Sequence, residues 1–234
     1  MAEHSPSPLA RAGAVLALLL LGYAFSGSVR TGLADAYAAP AKSYLDARRA
    51  AGETLAAEEW QALTDSLTRA LWLSPGDPET LSELGRLHRI RLEGEDLDAA
   101  AITRLGDAGA AYYQAALAQR PTWPWDWSNL AMVKYQQYQD GSPVYQEALV
   151  RAVAFGPREA SIQDRVAELG SQSWAALNAA TGQAVLTAVD RTLERDGAAL
   201  PGMAEEKTRW QPLCARAGTT FTYLKRRCAA LGLT

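Results

Sequence analysis

Histidine and cysteine are almost absent from this chain of 234 residues: it has two of each, His4, His88, Cys214 and Cys228. A Cys/His zinc site needs about four ligands at close spacings, and no such set can be drawn from these positions. The glycine-rich phosphate loops, the HExxH metalloprotease pattern and the GxSxG nucleophile turn are missing too. No cofactor is implied, no metal site is expected, and the chain reads as a non-enzyme. Lysine is scarce as well. Only Lys42, Lys134, Lys207 and Lys225 occur, and the formal net charge is −3. A chain without a global positive field, its four lysines scattered, does not attract nucleic acid. With 48% hydrophobic and 21% charged residues, the composition is nevertheless that of a folded protein.

One stretch carries no charge at all. Residues 12–29 read AGAVLALLLLGYAFSGSV, bracketed by Arg11 and Arg30. Eighteen helical residues span about 27 Å, close to the hydrocarbon thickness of a bilayer. This predicts a transmembrane anchor over 12–29, in contact with membrane lipid, after a polar tail over 1–11. The competing reading is a cleaved signal peptide, for which Ala34-Asp35-Ala36 has the small-x-small form. That triplet lies about 13 residues past the Leu-rich core, with Arg30 between, an awkward distance for cleavage. A lipoprotein would need a cysteine just after the apolar run. Arg11 before the anchor and Arg30 and Lys42 after it leave the positive-inside rule without a clear vote.

The rest is Ala-rich, with helical periodicity and almost no strand signal, so the fold class is all-α. Three segments align: Leu67–Pro75 followed by Leu84-Gly85, Tyr113–Pro121 followed by Leu130-Ala131, and Leu149–Pro157 followed by Val166-Ala167. In each, a small residue (Ala70, Ala116, Ala152) stands five before the proline and another (Gly85, Ala131, Ala167) ten after it. Proline cannot extend a helix, so each marks a turn between helices; small residues mark close helix crossings. The spacing predicts helices over 37–73 (broken near Gly52), 77–92, 97–119, 125–138, 143–155, 158–178 and 183–196. Two short ones follow in 198–234, each holding one cysteine.

The pattern resembles the tetratricopeptide repeat, with Trp127, Leu130, Ala131, Ala152 and Pro157 at its marker positions. Proline spacings of 46 and 36 residues depart from the family period of about 34, and Lys134 stands where an aromatic is usual. The resemblance implies a degenerate α-solenoid over 30–196, closed by a C-terminal helical cap over 197–234. In such repeats the first helix of each pair lines a groove. That register makes Arg86, Arg89, Trp125, Asn129, Met132, Tyr135, Asp164, Glu168 and Gln172 candidates for binding a partner. Trp123 and Trp127 read as interhelical packing, and His88 as a partly buried structural residue. The acidic run Glu93–Asp98 lacks the ligand order of a calcium loop and reads as solvated. Cys214 and Cys228, 14 residues apart, read either as a disulfide or as two packed thiols.

The run Arg120-Pro121-Thr122-Trp123-Pro124-Trp125-Asp126-Trp127-Ser128-Asn129-Leu130, followed by Ala148–Gln163 and Trp174, resembles the VpsP-type family of bacterial exopolysaccharide-biosynthesis proteins. The similarity covers roughly Tyr112–Leu193. It implies a single-pass inner-membrane protein whose partners are other proteins of a polysaccharide synthesis or export complex; the cysteine pair, which an oxidising periplasm would join, puts the soluble part on that side. A general cell-envelope assembly chaperone and a glycan-binding accessory subunit are the alternatives.

Overall fold

The computed structural model describes residues 8–51, 55–93, 97–196 and 207–233. Among them are ten α-helices, one 3₁₀ turn and no strand. The helix break expected near Gly52, part of the acidic run (94–96), the tail up to residue 7 with His4, and Glu205-Glu206 lie outside the described residues. The chain divides into two compact units, 1–75 and 76–234.

In the first unit, α1 (Pro8–Ala51) is one continuous helix of 44 residues and α2 (Ala57–Leu73) packs on it. One helix of the described chain is therefore long and apolar enough to cross a membrane. Its apolar window has a mean hydropathy of 1.8, and none of that window is buried within the protein. Ser26, Ser28 and Thr31 would be expensive in lipid with free hydroxyls. Each instead donates to a carbonyl one turn back, on Tyr23, Ala24 and Gly27, at 2.8–3.1 Å.

The helix therefore runs past the uncharged stretch without a break. Beyond it, the buried face of α1 is Ala34, Ala41 and Leu45, and that of α2 is Leu63, Leu67 and Ala70. Pro40 interrupts the α1 hydrogen-bond ladder, and three residues earlier Ser66 Oγ reaches across to the Tyr37 carbonyl at 2.9 Å. The far end is clasped by Glu59. It accepts from Tyr44 and Arg48 on α1 and from the Ala56 N–H, which it caps. These donors, the Tyr44 hydroxyl first, lower its carboxyl to about 2.

The second unit is a succession of helical hairpins: α3 (Pro78–Leu92) with α4 (Ala99–Gln119), α5 (Pro124–Gln136) with α6 (Pro143–Phe155), and α7 (Ala160–Gln172) with α8 (Ala179–Asp196). The pair α9 (Lys207–Arg216) and α10 (Thr222–Ala230) ends it, with α10 against α8. Pro121 lies between α4 and α5, and Pro157 between α6 and α7, so these prolines separate successive hairpins. Starts and stops follow local chemistry. Asp77, Asp98 and Ser142 cap α3, α4 and α6 through their side chains, and proline opens α3, α5 and α6. Helix α5 stops two residues short of Tyr138. That residue adopts φ +58°, and the Gln139 N–H turns back to the Lys134 carbonyl at 2.9 Å.

The single helix expected over 158–178 is shorter. It ends at Gln172, a 3₁₀ turn spans Trp174–Ala176, and Asn178 instead caps α8 through Thr181 N–H at 2.9 Å. An asparagine that can cap the next helix competes with continuing the previous one. Cys214 and Cys228 form a disulfide joining α9 to α10 (Cα–Cα 5.7 Å).

The small residues of the repeat are all buried: Ala70, Gly85, Ala116, Ala131, Ala152 and Ala167. At Gly85 the Tyr113 ring stands 2.9 Å from where a Cβ would be. A glycine outside the aligned positions is tighter still. At Gly170 of α7 a Cβ would meet Val185 Cγ2 of α8 at 2.2 Å.

An exposed helical Gly→Ala ordinarily gains about 1 kcal/mol. Gly170→Ala is expected to lose about 1–3 kcal/mol through overpacking, read as a lowered midpoint in thermal or urea unfolding of the full chain.

Candidate functional site

The candidate face is carried by α3, α5 and α7, which touch one another in sequence, α3 with α5 and α5 with α7. Two side-chain hydrogen bonds tie α5 to α7. Arg165 Nη1 donates to Asn129 Oδ1 at 2.7 Å, and the Tyr135 hydroxyl donates to Gln172 Oε1 at 2.5 Å. Trp125, Met132 and Tyr135 lay part of their surface on the apolar core and leave part exposed. Burial, then the charges of Asp140 and Glu168, raise the Tyr135 hydroxyl pKa. Glu168 therefore belongs to the same neighbourhood as Tyr135. An open depression of about 500 Å³ lies beside it, lined by Tyr135, Tyr138 and Gln172 with Leu92, Leu97 and Ile102.

Other candidates are committed elsewhere. Arg86 is half-buried and pairs with Glu83 of its own helix at 3.2 Å. Arg89 is buried, 7% exposed, and ion-pairs with Glu93 one turn on. Asp164 accepts from Thr192 Oγ1 at 2.9 Å and from Arg195, so it serves the α7–α8 hairpin. The structure thus brings together Asn129, Met132, Tyr135, Glu168 and Gln172, with Trp125 at the start of the same helix.

Within the tryptophan-rich run Trp127 packs part-buried against the core as expected, and Trp123 does not. Asp126 is 1% exposed and sits at the start of α5. It accepts from Ser82 Oγ at 2.6 Å and from Arg120 Nε at 3.0 Å. Arg120 also donates to Ser82 Oγ (2.6 Å), to the Pro78 carbonyl (3.3 Å) and to Glu79 (3.1 Å). One guanidinium thereby joins the end of α4 to the starts of α3 and α5. Trp123, expected in the core, is 43% exposed and lies under that guanidinium at 4.9 Å. Trp127 is half-buried and donates its indole N–H to the Pro121 carbonyl at 2.8 Å. Burial raises the Asp126 carboxyl pKa, partly opposed by hydrogen bonds from Ser82 and by the Arg120 guanidinium.

Gln137 makes a second interhelical tie. Its Nε2 donates to Asp107 Oδ1 at 2.9 Å and its Oε1 accepts from Lys134 at 2.8 Å. It fills the space over Gly106, where a Cβ would collide with it at 2.3 Å. No feature of the repeat pattern points to this contact, because Gln137 and Asp107 lie 30 residues apart.

His88 is buried, with Nδ1 2.9 Å from the Leu84 carbonyl and its ring 5.3 Å from that of Tyr112. Desolvation lowers its pKa below 6.5. Among the described residues, no three His, Cys, Asp or Glu side chains are grouped so as to hold a metal ion. Compared with models of known protein families and with curated proteins, the chain matches none.

Two measurements check this network. Asp126→Ala leaves Arg120 facing a hole and is expected to destabilise the chain by about 2–4 kcal/mol in urea titration, discounted because Arg120 is partly exposed. For His88 the sign follows from its depressed pKa. Above 6.5 both folded and unfolded forms are neutral; as pH falls through about 6.5 the unfolded chain takes up the proton first, so stability is lost. The melting temperature should therefore drop more over that range for the natural chain than for His88→Gln.

Proposed function

We propose that this chain is a membrane-anchored interaction protein. A degenerate tetratricopeptide-like array in it recruits other proteins of a bacterial polysaccharide synthesis or export complex. The observation that carries the reading is the order of hairpins in 76–234: α3, α5 and α7 pack side by side, and each is paired with the helix that follows it. That arrangement leaves a ladder of part-exposed aromatic, amide and charged side chains along α5 and α7, suited to an extended peptide. The exposed apolar stretch of α1 supports tethering. Confinement to a membrane raises the effective concentration of membrane-bound partners without any added contact.

The array lies on the periplasmic side of the inner membrane in this reading, where a disulfide between α9 and α10 persists. The polysaccharide assignment rests on the Arg120–Leu130 run and its VpsP-type resemblance. The terminal pair α9–α10 acts as the cap that a stacked array needs at its end.

The test is affinity purification in mild detergent with mass-spectrometric identification of bound proteins, comparing the natural chain with Trp125→Ala/Asn129→Ala. Polysaccharide synthesis or export proteins should be recovered with the natural chain and lost with the variant, whose circular dichroism stays unchanged. Recovery of only generic membrane proteins, or the same set with both chains, overturns the recruitment role.

A further inference from the structure

Away from the α5–α7 ladder, two adjoining depressions meet at Glu194. One, about 440 Å³, is lined by Pro157, Arg158, Gln163, Arg191, Glu194 and Arg195; the other, about 340 Å³, continues it along Tyr223, Arg226 and Arg227. Five arginines thus surround one carboxylate, and Glu194 is itself engaged by the Tyr223 hydroxyl at 3.1 Å. Arg195 pairs with the neighbouring Asp164, Arg226 lies over the Tyr223 ring and Arg227 over Trp210. The surrounding chain extends the imbalance. Residues 207–233 hold six basic residues (Lys207, Arg209, Arg216, Lys225, Arg226, Arg227) and no acidic one, in a protein of net charge −3.

Inside this cationic face, buried polar atoms lack partners. Gln163 is 1% exposed, and its Nε2 donates to the Gly156 carbonyl at 2.6 Å. That bond fixes the amide orientation and leaves Oε1 as an unpartnered acceptor. Arg191 Nη1 and Arg227 Nε are unpartnered donors. Native folds rarely leave such atoms unsatisfied. A partner for this set offers a hydrogen-bond donor to Gln163 Oε1 and anionic oxygens to the guanidinium groups. Guanidinium groups match planar carboxylates with paired hydrogen bonds, and only arginine, never lysine, lines these depressions.

We propose that this face binds an acidic saccharide chain, one whose sugars carry carboxylates. The arginines take the carboxylates, a ring hydroxyl reaches Gln163 Oε1, and the two depressions hold successive units. The choice of a saccharide polymer rests on the polysaccharide reading above; the demand for an anion that also carries a hydrogen-bond donor comes from Gln163 and the arginines themselves. An acidic peptide or an anionic lipid surface would meet the same charge and is told apart by titration.

The experiment is isothermal titration of the full chain, held in nanodiscs of zwitterionic lipid, with short oligogalacturonate. Neutral maltooligosaccharide, poly-glutamate and nanodiscs doped with anionic lipid are run in parallel. Oligogalacturonate should bind with an affinity that falls as salt rises, and the neutral sugar should not bind. Arg158→Glu/Arg226→Glu changes only exposed side chains and should weaken binding about tenfold or more, with circular dichroism unchanged. Absence of oligogalacturonate binding, equal binding of the neutral sugar or of poly-glutamate, competition by anionic lipid alone, or undiminished binding by the variant overturns the proposal. Partner recovery by the same variant separates the two readings. A chain that recovers its partners but binds no acidic sugar sinks this inference and leaves the recruitment role standing.

Discussion

The buried carboxylate of Asp126 is the constraint on which the second unit turns. It sits in a corner where three helix ends converge, and a carboxylate so placed must be held by strong donors. Arg120 and Ser82 supply them. Because Arg120 spends its remaining donors on Pro78 and Glu79, one guanidinium sets the start of α3 and of α5 relative to the end of α4. The angle between the first two hairpins, and so the line along which α5 presents Trp125, Asn129 and Tyr135, follows from that corner. The prolines stop helices, but they carry no donor or acceptor side chain. The ionic clasp fixes the direction in which the chain leaves the turn.

Much of this architecture was legible in the residues, and the reasons are local. The helical class, the ends of α2, α4 and α6, and the starts of α3 and α6 follow from proline, Asp77 and Ser142, whose effects act within one turn. The small residues at fixed offsets were readable as close approaches because they recur, and all six are buried. What escaped depends on partners distant in the chain. Asp126 meets Ser82 across 44 residues, and Gln137 meets Asp107 across 30. Nothing in a polar residue's own neighbourhood says that it will be buried, or beside which donor. Gly170 escaped for a related reason: its collision partner, Val185, lies on the next helix outside the aligned segments.

Of the candidate face, the α5 residues share one part-exposed side, which the phase of a helix with nearly known boundaries shows. The burial of Arg89 and the tie of Asp164 to its own hairpin are not visible in periodicity alone. The exposure of Trp123 has the same origin. A large aromatic ring is expected inside, yet here a guanidinium covers one of its faces and does the work of a hydrophobic neighbour. The arginine-rich face around Glu194 draws on α7, α8, α10 and the turn before α7, and only its α10 part, within Lys225-Arg226-Arg227, is a contiguous basic run in the chain.

Helix α1 carries one more implication. At about 1.5 Å per residue its 44 residues measure roughly 66 Å, about twice the thickness of a bilayer's hydrocarbon. It has no break between its lipid-compatible part and the part that meets α2. The joint to α2 is fastened at two levels, at Tyr37 and again at Tyr44 and Arg48. A stiff shaft fastened at two heights does not swivel freely. A rotation of α1 about its own axis would therefore carry α2 with it.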